Sequence, residues 1–193
     1  MFSKIGIWLL DTIQVIAVSA IIIVILHLFI VQPQVVDGLS MYPNLDDGDR
    51  LLVEKVTYRL REPKRGEVIV FNEPEKKESD FIKRLIGLPG ESILIENNKI
   101  IIFNEKNPKG FEVMQDRFLS EEMKKSTSGQ GNFLKEGLKV KIPTDKYVFL
   151  GDNRKKSYDS RYFGFVDKDD IVGKATYRYW PFKSFGGVDS KVF

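Results

Sequence analysis

The chain opens on an unbroken apolar block. Positions 12–31 hold 20 residues without a formal charge, 16 of them Ala, Val, Ile, Leu or Phe. A helix rises 1.5 Å per residue, so a block of that length spans about 30 Å, the thickness of a bilayer's hydrocarbon core. The pattern predicts one transmembrane helix, extended towards the N-terminus by the apolar residues 5–10. A cleaved secretory signal is the competing reading, because Ala17-Val18-Ser19-Ala20 has the small residues of a cleavage site. The run continues past it to Leu26 and beyond, whereas the apolar region of a signal peptide is about 7 to 15 residues long. The block is also apolar on every face, unlike the one-sided stripe of a soluble helix. A retained anchor is therefore expected.

Beyond the block the pattern changes to short alternating runs separated by turns, which predicts strands. The candidates are residues 34–36, 50–56, 67–72, 81–86, 141–142, 147–150 and 174–180, with a tight hairpin of 93–95 and 100–102 closed by Asn97-Asn98. No amphipathic helix longer than about three turns is evident. Residues 104–137 differ in character, being rich in Lys, Glu, Gly and Ser, and read as an insertion between two halves of one β domain. Within them Ser126-Thr127-Ser128-Gly129-Gln130-Gly131 is expected to be a flexible tip, and Phe118, Leu119, Glu122 and Met123 suggest a short helix. The fold class expected is mainly β: residues 1–33 form a short tail and anchor, and 34–193 a β domain carrying the insertion.

Composition narrows the chemistry. There is no cysteine, which removes disulfides, a thiolate nucleophile and sulfur-ligated metal. The one histidine, His27, lies inside the apolar block, so no imidazole is left for a catalytic triad elsewhere. An acyl-transfer enzyme built on this chain would need lysine or a carboxylate as its base. The net charge of +3 provides no basic stripe for nucleic acid and only mild attraction to an anionic membrane surface. Lys4 precedes the block with Asp11 against it, while Asp37, Asp46, Asp47 and Asp49 come before the first base after it, Arg50. That bias favours a cytoplasmic N-terminus and an extracytoplasmic β domain.

Three segments carry candidate chemistry. Asp37-Gly38-Leu39-Ser40-Met41-Tyr42-Pro43 follows the anchor; it presents a serine between glycine and proline, but lacks the second glycine of a nucleophile elbow. Phe81-Ile82-Lys83-Arg84-Leu85-Ile86-Gly87-Leu88-Pro89-Gly90-Glu91 is a strand running into a turn. Alternation places Lys83 on one face between Phe81 and Leu85, where desolvation would lower its pKa and make a base of it. Arg84 cannot fill that role, since guanidinium stays protonated. An edge lysine reaching water is the plainer alternative. Gly151-Asp152-Asn153-Arg154-Lys155-Lys156-Ser157-Tyr158-Asp159-Ser160-Arg161 offers hydroxyls and opposite charges, or simply a solvated turn.

In this order behind an N-terminal anchor, and with Arg65-Gly66-Glu67-Val68-Ile69-Val70-Phe71 as a fourth element, these motifs resemble the bacterial type I signal peptidases (leader peptidases). The likeness covers most of the chain outside 104–137 and is nearest to the single-anchor Gram-positive enzymes. The resemblance implies a membrane-bound serine protease with a Ser/Lys dyad, no metal or cofactor, and a catalytic domain of coiled antiparallel β-sheets. Its substrates would be secretory preproteins, cut beside the lipid bilayer after small residues. Ser40 would be the nucleophile, with its backbone N–H serving the oxyanion, and Lys83 the general base. Ser157 would hydrogen-bond to Lys83. Asp152 with Arg84, and Asp159 with Arg161, would be supporting ion pairs. Val36, Gly38, Met41, Leu45, Phe81 and Ile82 would line the substrate pockets.

Gly38 departs from members that carry a serine two residues before the nucleophile. Either no side-chain oxyanion donor is required, or glycine is needed for its backbone conformation. Trp180, Phe182 and Phe185 suit either a membrane interface or packing. A soluble self-cleaving repressor with similar chemistry would need a DNA-binding domain where this chain has its apolar block.

Overall fold

The computed structural model describes residues 4–115, 119–129 and 131–188. Helix α1 (Lys4–Phe29) takes up the apolar block, and Trp8–Phe29 within it is long and apolar enough to cross a membrane, with no part of the span buried against the rest of the chain. It ends two residues before the apolar run does. The chain turns directly into strand β1 (Val31–Val35), because the β-branched and proline-containing Val31-Gln32-Pro33-Gln34-Val35 pairs along its whole length with β2 (Arg50–Glu54). Pro33 is tolerated because β1 is an edge strand.

The remaining elements of the large sheet are β3 (Val68–Asn72), β4 (Asp80–Gly87), β9 (Lys146–Leu150), β10 (Val166–Asp167), β11 (Ile171–Trp180) and β12 (Gly186–Gly187). Its order is β1-β2-β11-β3-β4-β9-β10, with β12 paired to β11 and every pairing antiparallel. A smaller sheet has the order β7-β6-β5-β8, from β5 (Ser92–Glu96), β6 (Lys99–Asn104), β7 (Asn107–Glu112) and β8 (Val140–Lys141). The chain is thus mainly β with one N-terminal apolar helix.

Packing explains why β3 reads as continuously apolar. Val68 and Val70 face a core with Val36, Met41, Leu45, Leu51, Val53, Ile82 and Ala175, while Ile69 and Phe71 face a second core with Leu85, Tyr147, Phe149 and Val166. A strand buried on both sides has no polar face to alternate with. A third core lies under the small sheet, around Ile93, Ile95, Ile100 and Ile102. The β5–β6 hairpin closes through Asn97 and Asn98 at φ 51° and 63°, the left-handed pair that asparagine accommodates in a two-residue turn.

Residues 104–137 depart from the sequence expectation. They contain the strand β7 and the helical turn α3 (Glu121–Lys124), which Ser120 caps by accepting from the Met123 N–H. Phe118, expected in that helix, lies outside the described residues, as does Gln130. The expected flexible tip is packed: Thr127 is fully buried, and a Cβ at Gly131 would sit 1.8 Å from the carbonyl oxygen of Arg161. Small polar residues suggest a flexible tip, yet here their smallness permits close approach to another segment of the chain.

Candidate active site

Ser40 heads a turn immediately after β1. The turn is stapled beneath by Met41 and Leu45, which are 1% and 2% exposed, and by the N–H of Leu45 donating to the Met41 carbonyl. Its other side is held by Asn153, whose N–H donates to the Ser40 carbonyl at 2.9 Å. Lys83 arrives from β4. Its Nζ donates to Ser40 Oγ at 2.8 Å and to the Ile82 carbonyl at 3.2 Å, with the Phe81 ring centroid 4.9 Å away.

Lys83 is 4% exposed. Burial disfavours its charged form and lowers its pKa from 10.5 to about 8, against the opposing pull of Asp159, Asp152 and Glu73. That shift raises the neutral fraction at pH 7 from about one in 3,000 to about one in eleven. A buried amine in contact with a hydroxyl, and readily neutral, has the chemistry to accept that hydroxyl's proton.

Two bidentate ion pairs frame this contact. Arg84 donates through Nε and Nη2 to Asp152 at 2.8 and 2.6 Å and through Nη1 to the Gly66 carbonyl at 2.7 Å. Asn44 donates to the same carboxylate at 2.8 Å, tying it to the Ser40 turn. Arg161 donates through Nε and Nη2 to Asp159 at 2.8 and 2.9 Å, and Asp159 also accepts from the Gly151 N–H at 3.0 Å. Both pairs are buried, where removal of one partner strands a charge and typically costs about 3–5 kcal/mol. Gly151 has a steric reason: a Cβ there would lie 2.2 Å from Ser157 Oγ and 2.6 Å from the Ser40 carbonyl oxygen.

Two expectations need correction. Ser157 Oγ is buried and makes no hydrogen bond among the described residues, so the expected bond to Lys83 is absent. An unpartnered buried hydroxyl is costly, about 1–3 kcal/mol. Ser157→Ala is accordingly expected to hold or raise the melting temperature while lowering kcat/KM tenfold or less; a loss beyond 100-fold would show that the hydroxyl orients Lys83 in the reacting complex. Leu45 does not line the cleft but sits beneath it in the core with Val36 and Met41.

The cleft beside Ser40, about 470 Å³, is lined by Val36, Gly38, Met41, Phe81 and Ile82 as anticipated. Leu39, Asp80, Lys156 and Tyr158 also line it and are not among the expected lining residues, although each adjoins a residue singled out in the sequence. Another hollow, about 510 Å³ between the β5–β6 turn and α3, holds no such constellation; two of its lysines are paired, Lys99 with Glu112 and Lys124 with Glu121.

Gly38 has φ +83°, and a Cβ there would meet nothing within 4 Å. The backbone conformation, and not crowding, is what selects glycine. Its N–H donates to Asp47 at 2.8 Å and is occupied, whereas the Ser40 N–H donates to no acceptor among the described residues. Gly38→Ser and Gly38→Ala are therefore expected to lose about 1–2 kcal/mol of stability alike. Equal losses of kcat/KM in the two variants would confirm the conformational account, and a Ser variant more active than wild type would refute it.

A mainly β protein with a partly buried serine–lysine contact in a groove has the make-up of a serine hydrolase. The family model described as "Signal peptidase, peptidase S26" matches residues 9–180, and the chain belongs to that family. Signal peptidase IB of Staphylococcus aureus is 36% identical over 188 residues, covering 92% of each chain. Probable signal peptidase I-2 of Synechocystis sp. is 34% identical over 175 residues, covering 88% of this chain and 72% of its own. The crystal structure of a signal peptidase I from Enterococcus faecalis V583 is 29% identical, with a TM-score of 0.43, covering 60% of this chain and 98% of its own. The chain is a signal peptidase I, a serine hydrolase whose substrates are preproteins with signal peptides.

Proposed function

We propose that Ser40 and Lys83 form the catalytic dyad and that α1 anchors it at the membrane. The carrying observation is the 2.8 Å contact between Lys83 Nζ and Ser40 Oγ inside a substrate-sized cleft. With Lys83 neutral, the Ser40 hydroxyl gives its proton to Nζ as Oγ attacks the scissile carbonyl carbon. The resulting oxyanion faces the free Ser40 N–H, and one such donor is typically worth about 2.7–4 kcal/mol. Collapse breaks the C–N bond; Lys83 returns the proton to the leaving amine, and the signal peptide remains as an ester on Ser40. Water then gives a proton to Lys83, attacks the ester and releases the signal peptide, while Ser40 recovers its proton. Asp152 with Arg84, and Asp159 with Arg161, hold the two partners in register.

The substrate lies as an extended strand between two free edges. β1 is the outermost strand of its sheet, and β9 covers β4 only from Arg84 to Gly87, leaving the edge at 80–83 open beside Lys83. Strand addition supplies main-chain hydrogen bonds, and the walls formed by Val36, Phe81 and Ile82 leave room for small side chains. Cleavage follows a small residue in an Ala-x-Ala-like site. The N-terminus is cytoplasmic and the β domain extracytoplasmic, as the charge bias at the two ends of α1 favours.

The test is incubation of the detergent-solubilised chain with a secretory preprotein, followed by sequencing of the new N-terminus. One cut after a small residue at the end of the signal peptide is expected. Cutting at unrelated sites would refute the specificity, and no cutting would refute the enzymatic reading.

A further inference from the structure

The junction between α1 and the β domain carries a second feature that catalysis does not use. The 22 residues Trp8–Phe29 span about 33 Å as a helix, the full hydrocarbon thickness. On the reading that α1 crosses the membrane, Phe29 stands at the bilayer border and whatever touches it stands among the headgroups. Two cations do so. The Lys55 N–H donates to the Ile30 carbonyl at 2.9 Å, fixing that residue against the last turn of α1. The Arg59 guanidinium lies over the Phe29 ring, 5.9 Å from its centroid. Neither Lys55 nor Arg59 has a carboxylate partner among the described residues, although nearby bases do: Arg61 and Lys174 are held by Glu67, and Lys168 by Glu62.

The two cations open onto a hollow of about 330 Å³ walled by Lys55, Tyr58, Arg59, Lys168, Ile171 and Val172, with Asp169 as its acid. Arg59 belongs to α2 (Thr57–Leu60), and the next residue, Leu60, is 82% exposed. A large apolar side chain in water beside two unpaired cations is poorly placed in solution. It is well placed at an interface, where the cations meet phosphate and the leucine meets acyl chain.

We propose that α2 and this hollow form a docking site for an anionic phospholipid, with its phosphate between Lys55 and Arg59 and its acyl chain against Leu60. The site gives the β domain a second hold on the membrane surface and limits its rotation about the single helix, so that the cleft keeps one attitude to substrates lying in the same bilayer. The arrangement fits a lipid phosphate better than free phosphate, because Arg59, which walls the hollow, also lies over Phe29 at the end of α1, and because the exposed Leu60 needs an apolar companion.

The proposal rests on the membrane-spanning reading of α1, and two measurements separate them. Alkaline carbonate extraction of membranes holding the full chain tests the span; release into the supernatant would overturn that reading and the proposal with it. Native mass spectrometry of the full chain in nonionic detergent, with equal phosphatidylglycerol and phosphatidylcholine, tests the site. The wild type is expected to retain phosphatidylglycerol at least fivefold over phosphatidylcholine, and Lys55→Gln with Arg59→Gln to bring that ratio close to one, with cleavage of a soluble peptide unchanged. A chain that resists extraction yet shows no preference, or a double variant that keeps it, would overturn the proposal alone. Millimolar inorganic phosphate should leave the adducts in place; displacement by it would mark a free-anion site and overturn the lipid assignment.

Discussion

Ser40→Ala is expected to fold normally and to lose cleavage of a preprotein by 1,000-fold or more. If Ser40 and Lys83 work as the proposed dyad, removing the nucleophile abolishes the covalent route, and what remains is the modest acceleration from binding and oxyanion donors. The substitution is small and the site lenient: Ser40 is partly exposed, and among the described residues its side chain hydrogen-bonds only with Lys83, while the carbonyl bonded to Asn153 is unaffected. The melting temperature should therefore move little. Purified variant and wild type, compared by product formation and thermal unfolding, check both halves; a variant that cleaves at the wild-type rate would remove Ser40 from the mechanism.

Lys83 carries the second large effect, and it has opposite signs for activity and stability. Lys83→Met and Lys83→Arg are both expected to be inactive, the first for want of a base and the second because guanidinium does not deprotonate. Stability runs the other way for methionine. The folded pKa of Lys83, about 8, lies below the ordinary 10.5, so the native state binds the proton less well than the unfolded chain does. The penalty is fully present below pH 8, shrinks as pH rises from 8 to 10.5, and amounts to about 3 kcal/mol at its greatest. Methionine, of similar length and without charge, removes it at the loss of the bonds to Ser40 Oγ and to the Ile82 carbonyl. Thermal unfolding at pH 7 should show Lys83→Met more stable than wild type, with the difference narrowing towards pH 10. A methionine variant less stable at pH 7 would mean that the ammonium is well accommodated, and a cleaving Lys83→Arg would exclude lysine as the base.

Much of this was legible before the fold was known. The length of the apolar block announces α1, and the alternation of Phe81, Lys83 and Leu85 anticipates an amine shut in between apolar neighbours. Asn97-Asn98 announces its own turn. What local pattern did not convey are properties created by distant contacts. Strand β10 is two residues long and exists through its pairing with Tyr147 and Lys146. Strand β7, Asn107-Pro108-Lys109-Gly110-Phe111-Glu112, has no apolar alternation and forms because β6 offers it an edge. Thr127 looks like loop surface by composition, yet it accepts from Arg154 and donates to Gln115 behind the 151–161 segment, so residues 104–137 brace the candidate site from outside it. Gly38 was ambiguous in sequence because glycine satisfies a steric, a conformational and a chemical demand equally; only the φ of +83° separates them. Leu45 was misplaced by one layer, since a buried apolar residue near a nucleophile reads the same whether it lines the pocket or supports its floor.

The central claim is that a buried, readily neutral Lys83 is the base. The pH dependence of kcat/KM on a preprotein tests it most directly, because that quantity titrates groups of the free enzyme. The chain has no cysteine, and its one histidine is in α1, so no imidazole or thiol near the site can mimic the result. The account predicts a tenfold fall in kcat/KM per pH unit below about pH 8, half-maximal activity near pH 8 and a plateau above it. A profile flat from pH 6 to pH 9, or half-maximal below pH 7, would contradict it.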